Sequence, residues 1–259
     1  MPTVEGSEGT LLRDGHGVPV ASFRWRDEDG EQVAGRLRPA PGTSPDRAAR
    51  QAVRDLAGRR LTTPEEELAR ALIGAGCTLL RAATDMQRDL LEPIPVAPPA
   101  PGWALIPHDW DDDLARALTA AYGPDHPDRG DRVGRLRGLI EGDRGLVLLP
   151  GASARLRGPD GRSAGQVFTV GPVPWGSTPM SWVLDLAVAP AAQGRGLGAA
   201  LLAYAMRGTL DAGLATAGLT VTDGNPARRL YDRMGFRPFQ RHFAVRAPQS
   251  PPVDSSRPR

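Results

Sequence analysis

At 259 residues the chain can bury one large or two modest cores, and its 31 glycines and 26 prolines stay below the level that marks a disordered sequence. Its 32 basic and 30 acidic side chains leave a net charge of +2, which calls for neither nucleic acid nor an anionic membrane as partner. One cysteine, Cys77, excludes an internal disulfide and suits a reducing compartment; with no apolar leader and no membrane-length apolar run, the chain reads as cytoplasmic.

Taken in order, residues 1–17 are polar and glycine-rich and read as a flexible N-terminus. Val18 to Trp25 and Gln32 to Leu37 read as two strands joined at the hairpin turn Asp27-Glu28-Asp29-Gly30. Ser44-Pro45 places a cap and then a proline at the first position of a helix running to about Leu56. Thr63-Pro64-Glu65-Glu66 adds a capping box and opens a helix carrying Leu68, Leu72 and Ile73, which stops at Gly74 or Gly76. Cys77 to Ala83 follows as a strand, with Cys77 a small packed hydrophobe. Glu92 to Gly102 holds five prolines in eleven residues and reads as an extended linker. It separates a smaller N-terminal α/β domain, residues 18–91, from a second domain, residues 103–246.

The second domain opens with a short strand, Trp103 to Ile106. Asp111, Asp112 and Asp113 start a helix to about Tyr122, where they complement the helix dipole and require no metal. Tyr122 to Asp131 is a polar loop containing His126, Arg132 to Glu141 a second helix, and Gly145 to Leu149 and Gly165 to Val170 are strands. In Ser181 to Val188 only Ser181 and Asp185 are polar, which suits a strand buried on both faces and ended by Pro190. Leu197 to Asp211 is a helix with Leu197, Leu201 and Ala205 on one face and Leu202, Met206 and Leu210 on another, so it is expected to be deeply packed. Leu214 to Thr222 is the next strand, and Asn225-Pro226 caps a short helix ending at Gly235. Phe236 to Val245 closes the domain with Phe239, Phe243 and Val245 to one side, and residues 247–259 read as a disordered tail.

Between the strand ending at Val188 and the helix starting at Leu197 lie Gly194, Gly196 and Gly198 in alternation. Glycine serves where backbone must lie against a ligand, and the first amides of a helix are unpartnered and sit at its positive pole. Together these make a cradle for phosphate, to which Arg195 adds a charge-assisted bond. From the glycines alone a tight turn that binds nothing stays open. Gly194, Gly196 and Ala199 also fit the dinucleotide pattern G-x-G-x-x-G/A, which requires further strand–helix pairs and an acidic residue roughly 20 positions on. Gln193-x-x-Gly196-x-Gly198 instead resembles the acetyl-CoA pyrophosphate loop of the GNAT family of N-acetyltransferases.

The later segment Asn225 to Phe236 resembles that family's other signature, N-x-x-A-x-x-L-Y-x-x-x-G-F. Leu230, Tyr231, Gly235 and Phe236 fall in register, while Asn225 sits one residue closer to the tyrosine than in the commonest pattern and suffices as a helix cap. Over residues 103–246 the resemblance implies an α/β (α+β) fold with a mixed, mostly antiparallel central sheet flanked by helices. It further implies an N-acetyltransferase with acetyl-CoA as cosubstrate and a small-molecule or peptide amine as acceptor, acting as monomer or homodimer by direct attack in a ternary complex. Gln193, Gly194, Arg195, Gly196, Leu197, Gly198 and Ala199 would then hold the diphosphate, with Asn225 beside the cofactor. By the same resemblance the Leu186 amide polarises the thioester carbonyl, Val188 pairs with the pantetheine arm, and Tyr231 is the general acid. Away from the motif, Tyr231 reads equally as a core aromatic.

A base is also required, because an alkylammonium is charged at neutral pH. His126, Asp128 and Asp185 are candidates, each with an ordinary alternative: turn chemistry for the first two, a structural role for Asp185. All basic side chains are arginine, so self-acetylation on a lysine side chain is excluded. Leu68 to Cys77 echoes Ala227 to Phe236 when Gly76 is laid on Gly235, which puts Leu72 at the place of Tyr231. Residues 18–91 thus read as a degenerate copy without the glycine loop, a packing partner or lid. The competing functions are an acyl-CoA-binding sensor without turnover and a dinucleotide oxidoreductase.

Overall fold

A computed structural model describes residues 9–28, 30–123, 126, 134, 136–138, 146–173 and 178–249. It divides into two compact units, Met1–Thr84 with Gln240–Arg259, and Asp85–Phe239. The division falls inside strands β5 (Thr78–Asp89) and β11 (Arg237–Arg246), not at the proline-rich 92–102 segment. That segment is no loose linker: Ile94, Ala97 and Ala100 pack on the core of the second unit. No helix among the described residues is long and apolar enough to cross a membrane.

In the first unit β1 (Thr10–Arg13), β2 (Pro19–Glu28) and β3 (Glu31–Pro39) pair antiparallel in sequence order, and β4 (Arg60–Thr63) then pairs parallel to β3. Helix α1 (Pro45–Asp55) bridges β3 and β4, and α2 (Glu66–Gly74) bridges β4 and β5. Ser44 caps α1 as expected, its side chain accepting from the Arg47 amide. Thr63 does not close a capping box, because it ends a strand and its hydroxyl accepts from Glu65 two residues on. The unit buries Val20, Phe23, Leu37, Ala49, Val53, Leu68, Leu72 and Val245 together. Two segments expected to be unstructured belong to it. Residues 10–13 form a strand, and Ala247 is buried with its amide bonded to the Arg59 carbonyl at 2.9 Å.

In the second unit the strand order is β5-β10-β9-β8-β7-β6, from β6 (Ala104–Pro107), β7 (Ala154–Arg157), β8 (Ser163–Val170), β9 (Ser181–Val188) and β10 (Thr216–Thr222). All recorded pairs from β6 to β9 are antiparallel, and β9 and β10 are parallel across the crossover helix α4 (Leu197–Asp211). One core packs on α4 through Leu197, Leu201, Leu202 and Met206; Leu210 is the exception, 38% exposed near the helix end. The other packs Phe168, Trp182 and Ala187 against Leu114 and Leu118 of α3 (Asp112–Ala121). Helix α5 (Arg228–Arg233) follows β10, and on β11 Phe239 is exposed although Phe243 and Val245 are buried. Asp128, residues 250–259 and most of the helix expected over Arg132–Glu141 lie outside the described residues.

Two stretches of the chain share a local plan: β2-β3-α1-β4-α2-β5 and β8-β9-α4-β10-α5-β11. Helices α2 and α5 end alike. The Cys77 amide bonds to the Leu72 carbonyl and the Phe236 amide to the Tyr231 carbonyl, each at 3.0 Å, across left-handed Gly76 and Gly235. At Gly235 a Cβ would also collide with the Arg88 guanidinium, which bonds the Met234 carbonyl at the end of α5. Gly235→Ala should therefore cost roughly 1–3 kcal/mol of unfolding free energy in urea titrations, more than φ strain alone imposes at an open turn.

Candidate active site

Strand β9 carries one residue more than β8 opposite it. Phe168 faces Asp185 and Thr169 faces Val183, so Leu184 is unmatched and forms a bulge. The bulge changes the phase of the side chains. Trp182 and Leu184 lie on the α3 face and Val183 on the α4 face; after the extra residue Leu186 and Val188 come to the α4 face and Ala187 to the α3 face. The β9–β10 ladder pairs Ala217, Gly218 and Leu219 with Ser181, Trp182 and Val183, and no pairing beyond Val183 is recorded among the described residues. From there the two strands open onto a cavity of about 350 Å³.

The Ala189 amide bonds to the Ala164 carbonyl at 2.7 Å, on the side of β8. Backbone polar groups alternate along a strand, so the amides of Val188 and Leu186 point the other way, into the cavity. The Val188 carbonyl confirms that direction, since it accepts from Gln193 Nε2 at 2.9 Å. Gln193 thereby braces the loop against the strand.

A short turn, Pro190–Ala192, leads into the loop, where Gly194 and Gly196 have φ of 77° and 75°. Both are in the left-handed region that side chains avoid. Gly196 is the N-cap of α4 with no side chain closing the helix end, and Arg195 is exposed beside it. Gly194, Gly196, Leu197 and Gly198 line the cavity. The Ala199 amide differs from expectation, because it turns inward to the Gly196 carbonyl at 3.0 Å.

Tyr231 comes to the same cavity from α5, 7% exposed, with its ring 6.2 Å from that of Phe236. Arg88 on β5 ties down the end of this short helix through the Met234 carbonyl and, at 2.7 Å, the Pro93 carbonyl. Asn225 also lines the cavity, but its Oδ1 accepts from the Ala227 amide at 2.9 Å, which stiffens the turn two residues before the cap proper, Ala227.

The far end of the cavity is polar. Asp185, 1% exposed, accepts from the Tyr122 hydroxyl at 2.6 Å and from Gln166 Nε2 at 2.7 Å. Gln166 Oε1 faces His108 Nε2 at 2.8 Å. His126 packs its ring edge-on to Tyr122 at 4.8 Å and lines the cavity. Arg155, itself buried, bonds to the Asp109 carbonyl, Asp111 and Ser163 and so pins the segment that carries His108 to β7. Sequence reasoning named Asp185 and His126 but missed Tyr122, Gln166 and His108. The available signal was Gln166, a long polar side chain beside the apolar Val167 and Phe168 of β8.

Burial holds His108 below its ordinary 6.5, helped by Arg155 and opposed by the Gln166 bond and by Asp109 and Asp185. The Leu114 amide holds Asp111 below its ordinary 3.8, and the Ser163 amide does the same for Asp113. Such depressed values set the sign of pH dependence. Stability from neutral His108 is complete above about 6.5 and is lost as pH falls, because the unfolded chain takes the proton first. The aspartates add a second loss, below 3.8. Urea midpoints should fall as pH drops below 6.5, and His108→Gln should flatten that upper step alone.

Residues 161–238 match the family model described as an acetyltransferase (GNAT) domain. A curated mycothiol acetyltransferase of Tsukamurella paurometabola is 31% identical over 190 residues, 70% of this chain and 63% of that protein. Among solved structures, a GCN5-related N-acetyltransferase from Sphaerobacter thermophilus superposes with TM-score 0.65 at 16% identity, over 96% of this chain and 83% of that one. A tandem GNAT protein from the clavulanic acid biosynthesis pathway superposes with TM-score 0.55 at 16% identity, over 95% and 85%. At such identities these two likenesses are likenesses of fold.

Proposed function

Since residues 161–238 are a GNAT acetyltransferase domain, we propose that the protein is an N-acetyltransferase that moves an acetyl group from acetyl-CoA to an amine by direct attack in a ternary complex. The observation that carries this reading is the parting of β9 from β10 after Val183. It sets the Leu186 amide, the glycine loop and Tyr231 around one cavity.

The residues present fit acetyl-CoA. Left-handed Gly194 and Gly196 leave no side chain over the uncapped start of α4, where an anion meets backbone amides at the positive pole of a helix of 15 residues. The amides from Gly194 to Gly198 hold the diphosphate with Arg195, and the Val188 amide pairs with the pantetheine arm as an added strand would. Acetyl-CoA supplies an acyl carbon already activated as a thioester. The Leu186 amide stabilises the charge that gathers on the carbonyl oxygen, a donor of a kind worth about 10²–10³ in rate. Tyr231 gives its phenolic proton to the departing sulfur, a contribution of roughly 10²–10⁴.

The first unit is read as a silent copy. Leu72 stands where Tyr231 stands, and the Ser44 side chain fills the α1 helix end that α4 leaves bare. One transfer site per chain follows, and calorimetry should count one acetyl-CoA bound per chain.

Turnover is tested by thiol release from acetyl-CoA with a panel of amines that includes the acceptor of the mycothiol acetyltransferase. Binding without thiol release across the panel would mark an acyl-CoA sensor, and a melting shift with NAD(H) alone would revive the dinucleotide reading. Tyr231→Phe should lower kcat about 100-fold with little change in KM for acetyl-CoA. An unchanged kcat at pH 7 and above removes Tyr231 from the chemistry.

A further inference from the structure

The cavity's polar end is built around a buried carboxylate whose partners fix one another. A carboxylate only accepts, so Gln166 must turn its amide nitrogen to Asp185 and its oxygen to His108. His108 must then carry its proton on Nε2, and it does so as the neutral ring, since burial disfavours the charged one. The Tyr122 hydroxyl donates to the other carboxylate oxygen. The result is a carboxyl group held from two sides at the wall of the cavity. Its own strand places it next to Leu186, whose amide faces the reacting carbonyl in the proposed reaction.

Resting on that N-acetyltransferase reading, we propose that Asp185 is the catalytic base, pairing with the acceptor's ammonium and taking its proton, with Gln166, His108 and Tyr122 as positioning residues. An N–H bond of the ammonium breaks and an O–H bond forms on Asp185. The freed nitrogen lone pair makes the C–N bond as the C–S bond breaks. Tyr231 protonates the sulfur and recovers a proton from the new amide nitrogen, and Asp185 returns its own to water. The acceptor class is therefore an amine that is cationic at neutral pH.

The described titratable groups around Asp185 are Tyr122 from the end of α3, His126 from the segment after it, and His108 behind Gln166 of β8, where Arg155 and Asp109 act on the ring. His126 is the rival base, since it also lines the cavity.

The test uses the full chain with acetyl-CoA and the amine that releases most thiol in the panel. Asp185→Asn should lower kcat/KM at least 100-fold at pH 7, and the deficit should shrink as pH rises towards the amine's own pKa, where the free base no longer needs a protein base. The melting shift with acetyl-CoA should be preserved. Tyr122→Phe, a milder change that keeps the ring, takes one donor from the carboxylate, so the acid limb of kcat/KM should move to higher pH. A deficit in Asp185→Asn that is equal at every pH, a wild-type profile in either variant, or an acid limb that vanishes in His126→Gln instead would overturn the assignment. No thiol release and no acetyl-CoA melting shift in the wild type would instead be failure of the acetyltransferase reading itself.

Discussion

A strand inside a sheet hydrogen-bonds along both edges, and β9 does so only as far as Val183. Beyond that point its β8 edge stays paired while its β10 edge is open, leaving alternate amides without a sheet partner on that side. Unpaired backbone donors in a half-buried place are costly unless something accepts from them. The Val188 carbonyl finds Gln193, and the inward amides of Leu186 and Val188 face the cavity. The opening thus joins the uncapped start of α4 on one side of the strand to the polar cluster on the other.

The bulge at Leu184 makes that opening useful. Without the extra residue the strict alternation of β9 would carry Leu186 to the face of Trp182 and leave Ala187 towards α4. With it, Leu186 and Val188 face α4, and Asp185 stays on the side of Tyr122 and Gln166. One inserted residue sets the direction of a carboxylate and of an amide together. Arg88 and Arg155, both buried, brace this arrangement by fixing the end of α5 and the segment before α3.

The repeated plan of the two stretches separates features common to both from features found in only one. Both helix ends over Gly76 and Gly235 form the same 3.0 Å bond, so that motif is a property of a helix that must stop and turn into a strand. What differs is the cap of the crossover helix and the residue at the Tyr231 position. Ser44 satisfies an amide of α1 itself, whereas Gly196 gives α4 no side-chain cap. A helix end closed by its own serine has nothing to offer an anion.

Much of this was readable from local chemistry. The glycine loop, the extents of β9 and α4, the Ser44 cap and the Tyr231 helix follow from patterns whose physical content is local: apolar runs, left-handed positions, capping side chains. The short strands β4 and β7 escaped notice, since four residues carry too little periodicity to stand out. The capping box at Thr63 was misread, because pairing of β4 with β11 claims that residue for a strand. Proline in 92–102 suggested a separator, yet Ile94, Ala97 and Ala100 found a surface to bury against. The sequence by itself determined the longer elements and singled out the glycine loop and Tyr231. Only the tertiary structure decided that β9 bulges and parts from β10, and that Tyr122, Gln166 and His108 converge on Asp185. Those partners lie far apart along the chain and meet through strand register and helix packing, to which no single stretch of sequence is sensitive.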